Sequence, residues 1–181
     1  YGWRKKAQVD IQRLYKYLRK YREVADIRFY FGLDKHKKSK AFLKTARNIG
    51  FITITKEVKY IPISLDRSHF KGIVTEIKKS LRLTKKLKPK DIENILQILN
   101  QKILRRKCDF DLEIALDCLD SLSKYNSFIF FSGDGDFATL YKKLIASNKQ
   151  VIVVYASGHI GREIWEIKRG IFKIKINNLG V

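Results

Sequence analysis

Two short stretches are apolar throughout: Phe128-Ile129-Phe130-Phe131 and Val151-Ile152-Val153-Val154-Tyr155. A strand with one wet face alternates, whereas a continuous run of this length fits a strand covered on both faces. Between the two runs, Phe137, Leu140, Tyr141 and Leu144 recur at helical spacing. Strand, helix, strand with both strands buried is the pattern of a parallel sheet crossed over by helices.

The flanking chain keeps this rhythm. A helix is predicted after Asp10, a capping residue, with Ile11, Leu14, Leu18 and Tyr21 inward. A strand follows over Ile27 to Leu33, a helix over Ser39 to Asn48 that Gly50 ends, and a strand over Phe51 to Tyr60. Later come a helix over Asp111 to Ser123, a short helix over Gly161 to Arg169 and a strand over Phe172 to Ile176. The expected fold is α/β: a central parallel sheet flanked by helices on both faces. The 181 residues suit one domain, 1–181, in which residues 62–106 break the alternation. They carry two helical patterns, Phe70-Ile73-Val74-Ile77-Leu81 and, after Pro89, Ile92-Ile95-Leu96-Leu99-Ile103, on either side of Lys85-Lys86-Leu87-Lys88. That region reads as a helical insertion with a basic tip.

Immediately after the first apolar run comes Ser132-Gly133-Asp134-Gly135-Asp136-Phe137. Two carboxylates therefore sit where a buried strand ends, which is where parallel α/β sheets bind ligands. A Gly/Asp turn with a helix cap is the plainer explanation. A second acidic group lies upstream in Asp109, Asp111, Glu113 and Asp117, for which capping of a helix start is again the plainer account. Asp117, inside a largely apolar helix, fits that account less well. Carboxylates gathered at a strand end need a neutralising charge, and hard oxygen donors suit Mg²⁺ or Mn²⁺.

The remainder of the chain is strongly cationic. Thirty-nine Lys and Arg oppose 18 Asp and Glu, a formal net charge of +21. Such an excess favours nucleic acid or an anionic surface as partner. No apolar run is long enough to span a bilayer, and Cys108 and Cys118 match no metal spacing or disulfide framework, so a reducing cytoplasm is expected. There is no Met, not even at position 1, and the natural N-terminus is expected upstream of Tyr1. His36 and His69 have no ligand spacing, His159 reads as an exposed loop residue, and Trp165 reads as core.

Ser132-Gly133-Asp134-Gly135-Asp136-Phe137 resembles the S-G-D-x-D-F motif of NYN domains, the PIN-like nuclease group that includes LabA-like proteins. Lys107-Cys108-Asp109-Phe110-Asp111-Leu112-Glu113-Ile114-Ala115-Leu116-Asp117 is similar to that family's K-G-x-x-D-[VL]-x-L-A-x-D segment, with Cys108 in place of Gly. The family's first-strand motif F-I-D-x-x-N has no match here and would fall before Tyr1. The resemblance implies a metal-dependent endoribonuclease that cleaves RNA phosphodiester bonds with Mg²⁺ or Mn²⁺. It implies Asp111, Asp134 and Asp136 as metal-binding and catalytic carboxylates, Asp117 in support and Ser132 in the inner shell. Arg105, Arg106, Lys107, Lys142 and Arg162 are the candidate RNA contacts, and Glu163 is the better placed of two further acids, with Glu166 the other. A non-catalytic RNA-binding regulator on the same fold is the alternative. A phosphatase of the D-x-D-x-T type is disfavoured because Ala138 stands at the Thr position. A membrane partner is not expected, and a homodimer is left open.

Overall fold

The computed structural model describes residues 9–63, 68–83, 88–99 and 103–180. In chain order the elements are α1 (Ile11–Leu18), β1 (Arg28–Leu33), α2 (Lys37–Ile49), β2 (Ile52–Glu57), β3 (Lys59–Ile63), α3 (Ser68–Leu83), α4 (Pro89–Leu99) and β4 (Ile103–Lys107). There follow α5 (Asp111–Asp120), β5 (Ser127–Phe130), α6 (Ala138–Ala146), β6 (Gln150–Tyr155), α7 (Arg162–Trp165) and β7 (Ile171–Lys175). They form two compact units, one of residues 1–56 and 109–181, the other of residues 57–108.

The first unit is α/β, with parallel strands flanked by helices. β5, β6 and β7 run parallel in that order, Phe128 opposite Val151 and Val151 opposite Ile171. The two apolar runs are thus neighbours; β6 is covered on both faces as its lack of alternation predicts, whereas β5 keeps one open face, with Ile129 exposed. α6 covers them: Tyr141 and Leu144 are fully buried, as are Val151, Val153 and Ile164, and Phe130 and Phe137 complete this core. A second cluster joins Leu18, Ile27, Ala46 and Phe51, with Phe131 packed against it. It unites α1, α2 and the pair β1–β2. Asp10 caps α1 as expected, accepting from the N–H groups of Gln12 and Arg13.

The second unit holds the antiparallel pair β3–β4 and the helices α3 and α4. Two expectations fail here. The strand expected over Phe51 to Tyr60 breaks at Val58 into β2 and β3, which belong to different units. Ile103, expected to continue a helix, opens β4 and pairs with Ile63. The region is therefore helical only in part. The basic tip at Lys85–Lys88 lies outside the described residues except for Lys88. Among the described residues no helix is long and apolar enough to cross a membrane.

Candidate active site

β5 ends at Phe130, and the acidic turn follows at the carboxyl end of the parallel strands. Asp134 caps a 3₁₀ turn over Gly135–Phe137: its Oδ1 accepts from the Asp136 N–H at 3.1 Å, while its own N–H donates to Ser132 Oγ at 3.2 Å. The cap engages one carboxylate oxygen, and both Asp134 and Asp136 stay exposed. The loop after β6 packs on this turn backbone against backbone. Gly161 N–H donates to the Gly133 carbonyl at 2.7 Å. A Cβ on Gly133 would strike the His159 carbonyl oxygen, and one on Gly161 would lie 2.7 Å from the Gly135 nitrogen. Only glycine tolerates such an approach. The same packing sets the Glu163 carboxylate beside Gly135.

Asp111 reaches this region from the start of α5. It is half-buried, and its N–H donates to Asp109 Oδ1 at 3.1 Å. Burial pushes its carboxyl up to about 6, helped by the charge and hydrogen bond of Asp109 and then by the charges of Asp134 and Asp136. Asp111 thus feels both carboxylates of the distant turn. The acids are near enough to repel but not gathered into a ready cage: among the described residues no three His, Cys, Asp or Glu side chains form a group that could hold a metal ion.

Asp117 is turned elsewhere. Its Oδ2 accepts from Tyr30 Oη at 2.5 Å and pairs with Arg28 at 3.0 Å, both on β1. Burial, then the hydrogen bond to Asp117 and its charge, push the Tyr30 phenol well up. Asp117 therefore ties α5 to β1 instead of joining Asp111. Glu113, two residues after Asp111, pairs with Lys56 at 2.6 Å, which lowers its pKa, and its second oxygen is buried with no partner among the described residues.

Of the proposed cations, Lys142 is exposed on α6, and Arg162 is held at 2.7 Å by Glu166. Arg105, Arg106 and Lys107 are exposed on β4 in the other unit. Trp165, read as core, is 53% exposed, with Lys173 Nζ over its ring. Sequence reasoning missed Arg28 and Tyr30, since nothing local marks a cation or phenol whose partner lies 87 residues away. It also missed Asp34, a buried acid directly after β1; its signal was available, an acid closing an apolar run as Asp134 does. The Tyr141 hydroxyl is a third omission: buried and without a partner among the described residues, it is pushed up by burial and by the charges of Cys118 and Asp134.

Comparison with known proteins bears on this arrangement. The profile of the NYN domain matches residues 66–166, which include Asp111, Asp117 and the whole acidic turn. The chain is 34% identical over 59 residues to the Low amplitude and bright protein LabA of Synechococcus elongatus, covering 33% of this chain and 32% of that one. It thus spans about a third of the length of that relative. A solved structure, a protein of unknown function from Vibrio parahaemolyticus, superposes with a TM-score of 0.56 at 19% identity, over 91% of this chain and 78% of the other. At that identity the likeness extends to the fold alone.

Proposed function

The chain belongs to the NYN domain family, and from that premise we propose that it is a metal-dependent endoribonuclease acting through Asp111, Asp134 and Asp136. The observation that supports this reading best is the raised proton affinity of Asp111, to which both carboxylates of the Asp134–Asp136 turn contribute from another part of the chain. The residues fit a hard divalent cation. Their donors are carboxylate oxygens, and the Asp111 carboxyl, raised to about 6 chiefly by burial and then by the neighbouring acids Asp109, Asp134 and Asp136, would be relieved by a cation beside it. Asp111, Asp134 and Asp136 would hold Mg²⁺ or Mn²⁺, which when bound lowers the pKa of water and offsets charge on a phosphate.

The chain supplies the rest. Ser132 anchors the turn through the Asp134 N–H, so one oxygen of Asp134 keeps its direction while the other faces outward. Asp111 orients the attacking water and accepts its proton at a carboxylate oxygen. Asp117, held by Arg28 and Tyr30, keeps α5 and hence Asp111 in position. Lys142 and Arg162 take flanking phosphates.

Asp134→Asn is the decisive variant, because the amide oxygen retains the cap on Asp136 while the charge is lost. It is expected to abolish Mg²⁺- or Mn²⁺-dependent cleavage of RNA with the circular dichroism spectrum unchanged. Cleavage by the folded variant at the wild-type rate would overturn the assignment. The absence, among the described residues, of a gathered ligand set favours a second reading, a non-catalytic RNA-binding regulator. Tight RNA binding by wild type without cleavage in either metal would select it.

A further inference from the structure

The antiparallel pair β3–β4 carries an arrangement that is costly in an unliganded protein. Lys59 lies directly opposite Lys107, Tyr60 opposite Arg106 and Ile61 opposite Arg105. Opposed residues of such a pair share a face, their Cβ atoms about 5 Å apart, and like charges there repel. One face therefore bears Lys59, Lys107 and Arg105 around Ile61, and the other bears Tyr60, Arg106 and Leu104.

All seven side chains are exposed, with Leu104 at 58%, Tyr60 at 43% and Ile61 at 38%. Neither strand contains an acid, and among the described residues Lys59, Arg105 and Lys107 enter no ion pair. A two-stranded ribbon is marginal even without such repulsion. What relieves it is an anion lying along the face.

We propose that the Lys59–Arg105–Lys107 face of the β3–β4 ribbon is a binding surface for the phosphodiester backbone of single-stranded RNA. Arg105 and Lys107 are two residues apart on one strand, roughly 7 Å, a spacing that lets each take one of two successive phosphates of an extended strand. Lys59 lies across from Lys107 and completes a track one backbone wide. Ile61 offers an apolar floor to sugar or base, and the exposed Tyr60 on the other face offers a ring to a base that folds over the edge. The track is too narrow to engage both strands of a duplex. That the polyanion is RNA rests on the nuclease reading; that an anion belongs on this face does not.

The test exploits the opposed lysines. Lys59→Glu converts the repelling pair into an attractive one, so the melting temperature should hold or rise. RNA affinity should nevertheless fall. Each phosphate contact to a single strand contributes about 0.7 to the slope of log K against log salt, so losing Lys59 and neutralising Lys107 should lower the slope by about 1.4, or ~25-fold in affinity at 0.1 M relative to 1 M salt. Lys59→Gln should lose about half of that slope.

The probe is a short fluorescent single-stranded RNA in chelator, titrated by anisotropy, with anionic phospholipid vesicles in parallel. Unchanged RNA affinity and slope in both folded variants overturns the proposal. So does binding to vesicles but not to RNA that is lost in Lys59→Glu. If ribbon-dependent RNA binding occurs without cleavage in either metal, the surface stands and the nuclease reading falls. If wild type cleaves RNA and both variants bind it as wild type does, the reverse holds.

Discussion

Asp111 holds its proton to about pH 6, against 3.8 for an unhindered aspartate. A folded-state pKa above the unfolded value means that the ionised side chain opposes folding. The penalty is fully present above about pH 6, fades as pH falls toward 3.8 and is absent below it. Asp111→Asn should therefore stabilise the metal-free protein at pH 7, by at most about 3 kcal/mol and less after solvent screening, and so raise its melting temperature, while abolishing cleavage. A fall in stability would contradict the origin of the shift. By the same linkage, Mn²⁺ should raise the melting temperature above pH 6 and progressively less below it, as protons compete for the carboxylates. The orphaned Tyr141 hydroxyl gives a second residue-scale expectation. Tyr141→Phe removes a buried group that has no partner, so thermal or denaturant unfolding should show neutrality or a gain of about 1 kcal/mol instead of the loss usual for core changes.

At the scale of elements, the site is two loops and a helix start locked together. Gly133→Ala would drive a methyl into the His159 carbonyl and part the acidic turn from the loop before α7. It should cost about 1–3 kcal/mol and lower cleavage together with stability, measured by urea unfolding and RNA turnover. Arg28→Ala strands Asp117 without its cation and takes a partner from Asp26, and should lower turnover more than it weakens binding of RNA, since its shorter ion pair, at 3.0 Å, seats α5. Legibility differed by element for a physical reason. β6 and α6 were readable because burial on both faces, or on one helical stripe, writes itself into consecutive residues, whereas the unbroken apolar run of β5 overstates its burial, Ile129 being 40% exposed. The split at Val58 was not, because the period-two pattern runs on unbroken through it. Ile103 kept helical spacing from Leu99, yet pairs with a strand forty residues upstream. The acids of the turn were readable from their spacing, whereas the turning of Asp117 toward β1 depends on partners that no local pattern announces.

At the scale of the molecule, a formal charge of +21 dominates the approach of any polyanion. RNA affinity should fall steeply and log-linearly with salt, and a flat salt dependence of binding would exclude phosphate contacts as its source. The two units share that charge unequally in kind: the first holds the carboxylates of the acidic turn and of α5, and the ribbon strands β3 and β4 of the second have none. Their covalent junctions are informative. The chain leaves the first unit just after Lys56, whose ammonium grips Glu113 at 2.6 Å and lies over the Phe110 ring. It returns at Asp109, whose carboxylate receives the Asp111 N–H. Both ends of the spliced-in segment are thus tethered within one helical turn of the same aspartate. A variant that lengthens or loosens either junction of residues 57–108 would therefore act on the neighbours of Asp111: Glu113 and Phe110 at one end and Asp109 at the other.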